Sequence, residues 1–345
     1  MMRDIDRRTL LKLTGGLGAT LPLSMVPTSF ALGDTVSDAK SEGGLMLYSG
    51  AKIKTNEKLL KAFKKKYSFV KETQLYRAGG PALAARIEAE LRANKKICDI
   101  LFAAGAFWVN WVKDGKVLKY QSPEYKNYTA EYKIDGYMAA VRASSMTIAF
   151  NTNKVKPSAR PSTYDDLLNP KWKDGWIGIP DVRRSSKGRA WYTVAREKLG
   201  KDFMIKLAKQ KPLILKGGSD LSARLQAGEI AIGIQNSERV IVPKRKGVPV
   251  DAVWPKEGVV LAPGYAGIIA SAPHANTAKL FMDFILGEEG QTILSSNDGY
   301  HTLHRNMKSA SDIPDIGTFK VWTVDEEKVG ALTNEINKEF TQLFT

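Results

Sequence analysis

The sequence predicts an α/β protein of two lobes, each with a parallel-cored sheet, and two strands passing between them. Three observations carry this. The chain has 345 residues, more than one typical domain needs to bury a core. Compact apolar runs alternate with amphipathic helical stretches, the strand–helix–strand order of a parallel sheet with right-handed crossovers. Two longer runs, Ser145 to Asn151 and Tyr265 to Ala272, stand near the junction of the halves, where connections between lobes belong.

The elements follow in order. Leu45-Met46-Leu47-Tyr48 stops at Ser49-Gly50, as a buried parallel strand does. Thr55 to Tyr67 carries Leu59, Leu60, Phe63 and Tyr67 at helical spacing. Pro81 opens a second helix, with Leu83, Ile87 and Leu91 at i, i+4 and i+8. Asp99-Ile100-Leu101-Phe102 is the next strand and ends at Ala103-Ala104-Gly105. In the second half Trp176–Pro180, Leu213–Leu215 and Ile230–Ile234 repeat the pattern. Val329, Leu332, Ile336 and Phe340 then mark an amphipathic C-terminal helix.

Composition excludes several classes. The single cysteine, Cys98, rules out a disulfide framework and a cysteine zinc site. Three histidines leave little for a histidine-rich metal centre. No Gly-x-Ser-x-Gly elbow, His-Glu-x-x-His pair or Walker loop is present, so no catalytic or cofactor motif is visible. The 52 basic against 36 acidic residues give a formal charge of +16. That excess either steers an anionic partner or only keeps the surface soluble. Its cations are dispersed, which speaks against nucleic acid.

Residues 1–31 read as an export signal. Arg7-Arg8 is followed by Thr9-Leu10-Leu11-Lys12, a weakly apolar stretch to Val26, and the small-residue close Ser29-Phe30-Ala31. The arginine pair resembles a twin-arginine signal. A periplasmic location follows as the expectation.

In open α/β sheets ligands bind at the carboxyl ends of strands, against the helix N-termini that follow. The loops there are Ser49-Gly50-Ala51-Lys52, Ala103-Ala104-Gly105, Asp181 to Gly188, Gly217-Gly218-Ser219 and Asn236-Ser237-Glu238-Arg239. Glycine and serine before a helix offer backbone N–H groups and a hydroxyl to an anion, and also serve as plain caps. The richest is Arg183-Arg184-Ser185-Ser186-Lys187-Gly188-Arg189. Trp108, Trp111 and Tyr265 are candidates for a cleft wall, with burial in a core as the alternative.

With these segments placed, the chain resembles the periplasmic solute-binding proteins of ABC importers, in the group of ferric-iron, sugar-phosphate, phosphonate and thiamine binders. The resemblance runs from about Gly44 to Arg305. It is carried by Leu47-Tyr48-Ser49-Gly50, Phe150-Asn151-Thr152-Asn153, Asp165 to Trp172, Gly228 to Ile232, Ala266-Gly267-Ile268 and Ala278 to Phe284. It implies a type II periplasmic-binding-protein fold: residues 43–145 with 266–305 as lobe 1, 152–265 as lobe 2, and 306–345 as a C-terminal helical segment. It further implies a binding protein rather than an enzyme, a permease partner, and no cofactor, resident metal or nucleic acid. A monomer is expected.

Iron binders of this group carry histidine, glutamate and a tyrosine pair where this chain appears, by the resemblance, as Lys52, Ala104 and Ser237-Glu238. A protonated lysine offers iron no lone pair, so a ferric-iron binder with altered ligands is the alternative reading. An exported enzyme is a more distant one. The anion half of the family pocket corresponds to Ser185, Ser186 and Gly188, to Ser219, and to Asn236. Lys52 and Arg183 or Arg184 add charge, Glu238 pairs with the other end of a ligand or with Arg239, and Ser49, Ala104 and Tyr265 complete the set. The expected solute is a small organic anion with a phosphate- or phosphonate-type head group.

Overall fold

The computed structural model describes residues 28–104, 107–134 and 136–345; most of the expected export signal, residues 1–27, lies outside them. After helix α1 (Thr28–Glu42) come β1 (Gly44–Ser49), α2 (Ile53–Lys66), β2 (Glu72–Arg77), α3 (Gly80–Arg92), β3 (Ile100–Ala103) and α4 (Phe107–Lys113). Strand β1 pairs in parallel with β2 and β3, so their carboxyl ends open on one side. Leu59, Leu60 and Phe63 of α2 are buried, and Phe63 meets Phe281 edge-on at 5.0 Å. Pro81 lies in the first turn of α3, where its missing N–H has no partner to lose. Edge strand β2 escapes the periodicity because it is charged and half-exposed.

A short β4 (Lys133–Ile134) precedes the 14-residue β5 (Met138–Asn151), which leads into the second lobe. There follow β6 (Ile177–Pro180), α5 (Ser186–Leu199), α6 (Lys201–Lys209), β7 (Leu213–Leu215), α7 (Gly218–Ala227), β8 (Ile232–Asn236), α8 (Glu238–Lys244) and β9 (Val250–Val253). Strand β10 (Val259–Ile268) returns to lobe 1, followed by α9 (Ala275–Leu286) and α10 (Glu288–Thr292). The tail forms β11 (Val321–Trp322), α11 (Glu326–Ala331) and α12 (Thr333–Phe344).

The strands share one hydrogen-bonded path, β2-β1-β3-β10-β5-β8-β6-β7. Its two ends are parallel, while β5 and β10 run antiparallel to each other and to their neighbours at the centre. The lobes' sheets are therefore joined edge to edge through the crossover strands.

Both crossovers start earlier than the sequence suggests. Strand β5 begins at Met138, a start the sequence hides because Ala139, Ala140, Ala143, Ser144 and Ser145 are small and Arg142 interrupts the apolar pattern. Strand β10 takes in Pro263 and Gly264, residues that ordinarily end a strand. The register shifts at Gly264/Tyr265, and this bulge absorbs them.

Trp108 and Trp111 are buried with Leu83, Ile87 and Leu101 in a lobe 1 core, and Trp108 also borders a cavity; Cys98 lies in the same core. The C-terminal helix belongs to lobe 2. Ile336 and Phe340 join the core of Trp191 and Tyr192, and Arg196 holds Glu335 and Glu339 at 2.7 and 2.8 Å. The expected single helix breaks at Leu332 into α11 and α12. Among the described residues no helix is long and apolar enough to cross a membrane.

Candidate functional site

In lobe 1 the site begins where β1 ends. The buried Ser49 hydroxyl donates to Asn56 Oδ1 at 2.8 Å and accepts from the Ala51 N–H at 3.0 Å. Ser49 thus builds the turn, and the turn delivers Lys52 at the start of α2. The Lys52 ammonium lies 6.0 Å from the Tyr300 ring centre. Burial pushes its pKa down, opposed by Glu238 and Asp298 and reinforced by Arg239 and Arg142.

Lobe 2 contributes three helix starts. Ser185 is the cap of α5: its hydroxyl accepts from the Gly188 N–H at 3.0 Å. Ser186 is exposed at the first helical position. Gly188 is required for close approach, since a Cβ there would stand 2.9 Å from Pro180 Cγ. At α7 the Ser219 hydroxyl accepts from Arg239 Nη1 at 3.0 Å. Gln235 Nε2 donates to the Gly218 carbonyl at 2.8 Å, while its Oε1 accepts from the Asn236 N–H at 2.9 Å. This ties the α7 start to the end of β8.

Glu238, opening α8, is the centre. Its side chain is buried; Oε2 accepts from the Ser144 hydroxyl of crossover β5, and Oε1 accepts from Asn236 Nδ2 at 3.4 Å. Lys187 Nζ stands 3.8 Å from Oε1. Burial opposes ionisation, but Lys187, Ser144, Lys52 and Arg239 outweigh it and hold the carboxyl at about 2.

The crossover itself supplies Arg142, two residues before Ser144. Its guanidinium lies 4.7 Å from the Phe102 ring centre and 4.1 Å from that of Tyr300, and its Nη1 is buried without a hydrogen-bond partner. Burial raises the Tyr300 phenol to about 12, with Arg142 opposing. Asp298, two residues earlier, is buried with Oδ2 unpaired. Behind this face the Ser145 hydroxyl lies 2.9 Å from His301 Nε2 and accepts from Trp254 Nε1 at 2.9 Å. His301 Nδ1 reaches the Pro314 carbonyl at 3.1 Å, which assigns the ring proton to Nδ1.

Of the residues marked from sequence, Lys52, Asn236 and Glu238 come together, with Ser219 joined through Arg239. Ser49, Ser185 and Gly188 shape their loops. Arg183 is a correction: Asp181 grips its guanidinium at 2.8 Å through both Nε and Nη2. Its Nη1 donates to Thr341 at 3.2 Å, so the side chain faces the C-terminal helix. Arg184 is exposed, as is Ala104, at the edge of the undescribed residues 105–106. Tyr265 lines a cavity of about 510 Å³ with Trp108, Met138 and Val324, none of which belongs to the charged cluster.

Sequence reasoning missed Arg142, Asp298 and Tyr300, did not distinguish Lys187 within its loop, and offered Arg239 only as a partner for Glu238. The one available signal for Arg142 was a lone cation inside an otherwise uncharged strand, Met138 to Asn151. Among the described residues no group of three or more His, Cys, Asp or Glu side chains is placed to hold a metal ion.

Two α/β lobes on antiparallel crossover strands, with charged helix starts of one lobe gathered against the β1 loop of the other, make up a solute-capture protein of the type II periplasmic-binding class. Residues 95–327 match the bacterial extracellular solute-binding protein family, and the chain belongs to it. It is 28% identical over 330 residues to an uncharacterized protein of Haemophilus influenzae, covering 90% of this chain and 93% of that one. It is also similar to the solved structure of the periplasmic binding protein AfuA from Actinobacillus pleuropneumoniae, with exogenous fructose-6-phosphate bound. That match has TM-score 0.70 and 24% identity, over 87% of this chain and 98% of the other. Iron-bound HitA from Pseudomonas aeruginosa matches with TM-score 0.71 and 18% identity, over 85% and 99%. Membership in this family implies delivery of a solute to an ABC permease.

Proposed function

We propose that this chain is exported by its N-terminal segment, acts in the periplasm without catalysing a reaction, and captures a small organic anion with a phosphate- or phosphonate-type head group. The capture site is the interlobe cluster. Closure of the lobes stabilises the state that the permease recognises.

The observation that carries this is the charge around Glu238. Lys52, Arg142, Lys187 and Arg239 converge on it from the β1 loop, a crossover strand and two helix starts. Cations so placed attract an anion and repel a ferric ion or a polyamine. The fructose-6-phosphate held by the AfuA relative is a solute of the proposed charge class.

A thermal-shift panel on unfolded-and-refolded protein tests the proposal, with organic phosphates, phosphonates, inorganic phosphate, small carboxylates and ferric iron with and without bicarbonate. Ligand at about 100 times its Kd adds roughly 2.7 kcal/mol. A rise with phosphates and none with iron is expected. A rise with iron alone would overturn the proposal.

A further inference from the structure

We infer that the site selects dianions over monoanions and that Arg142 is the side chain that reads the second charge; this rests on the anion-capture reading above. Four cations, Lys52, Arg142, Lys187 and Arg239, share the cluster with two carboxylates, Glu238 and Asp298. Two positive charges are left over. Cations gathered this closely repel one another, so the best-fitting occupant carries two negative charges. Phosphate monoesters and phosphonates meet that condition near neutral pH; phosphodiesters and monocarboxylates do not.

Among the four, Arg142 is the one with a buried nitrogen that has no hydrogen-bond partner. Lys187 faces Glu238 at 3.8 Å, and Arg239 donates to Ser219 at 3.0 Å. The Arg142 guanidinium is instead fixed between two rings, at 4.7 Å from Phe102 and 4.1 Å from Tyr300, with Nη1 buried and unpaired. A planar donor held by stacking and lacking an acceptor is preorganised for a phosphoryl oxygen. Its position adds a further point. Arg142 sits on β5 between Gly264 of β10 and the Ser144 that bonds Glu238, so it belongs to the hinge rather than to one lobe. An anion on Arg142 then meets Lys52 from lobe 1 and Lys187 from lobe 2.

The test compares two probes of nearly one shape, methyl phosphate and dimethyl phosphate, by calorimetric titration of the purified protein at pH 8, where the first is a dianion and the second a monoanion. Methyl phosphate is expected to bind at least about tenfold more tightly. Equal affinities overturn the dianion inference and leave anion capture standing. If neither probe binds at millimolar concentration, the capture reading itself falls.

Arg142→Met is expected to lose about tenfold or more in methyl phosphate affinity and to narrow the preference, because one charge is gone. Arg142→Lys keeps the charge and is expected to keep the preference at lower affinity. It also serves if the methionine variant does not fold. Unchanged methyl phosphate affinity in folded Arg142→Lys overturns the role of the guanidinium.

Discussion

Lys187 Nζ stands 3.8 Å from Oε1 of Glu238, yet the lysine's pKa is pushed down, not up. An isolated ion pair would raise it. Here burial dominates, and Arg142, Arg239 and Lys52 work with it against the attraction of Glu238. The carboxylate is over-supplied with cations. It serves as an internal counter-ion that lets like charges be held close together before any solute arrives.

The Glu238 carboxyl sets one window of acid sensitivity. Its pKa is 4.5 unfolded and about 2 folded. The depressed value means that its contribution is fully present above pH 4.5 and is lost as pH falls towards 2, for about 3 kcal/mol. Urea denaturation of the parent and Glu238→Gln at pH 7 and pH 3 checks this. The parent's lead over the variant is expected to shrink by about 2 kcal/mol between them, because pH 3 still lies above the folded pKa; a lead independent of pH would exclude Glu238 as its origin.

A second window belongs to His301, where burial lowers the pKa from 6.5 to about 4. The folded state holds this ring neutral between Ser145 and Pro314, while the unfolded chain takes up a proton below pH 6.5. Stability is therefore lost as pH falls from 6.5 to 4, again by about 3 kcal/mol. The imidazole NMR signals of His301 are expected to stay constant from pH 8 to 5. Titration near 6.5 would contradict a buried neutral ring.

The two adjacent serines at the start of α5 should separate cleanly. Ser185→Ala removes the acceptor of the Gly188 N–H and is expected to cost about 1 kcal/mol in urea denaturation. Ser186→Ala, at an exposed position, is expected to leave stability within about 0.5 kcal/mol. Equal costs would mean that the cap is shared.

Arg183 and Phe340 report on the C-terminal helix. Phe340 is fully buried, 5.6 Å from Tyr192 and 4.9 Å from Phe344, so Phe340→Ala is expected to cost about 3–4 kcal/mol. Arg183→Ala breaks a half-exposed link and should cost about 0.5–1 kcal/mol. Its affinity for organic phosphates is expected to be unchanged. A tenfold loss of affinity would return Arg183 to the binding site.

Much of the site was legible because it lies in loops that follow strands. Lys52, Asn236 and Glu238 are each a few residues past an apolar run, and that position alone places them at the carboxyl edge of a sheet. Arg183 misled for the same reason. It occupies such a loop, but Asp181 sits two residues earlier and Thr341 is supplied from the far end of the chain. Only packing decides between a solvated cation, a ligand anchor and a structural clamp.

The sequence alone determined the α/β class, the two-lobed plan, most strands and helices, and the net positive charge. These follow from local periodicity and composition, which are properties of neighbours along the chain. The tertiary structure decided which cations share one counter-ion, that Tyr300 and Arg142 stack, that Trp108 and Trp111 are core, and that α12 rests on lobe 2. Each depends on residues far apart in sequence meeting across a crossover or a lobe face. No local pattern encodes that, because Coulomb and packing energies depend on distances in space rather than along the chain.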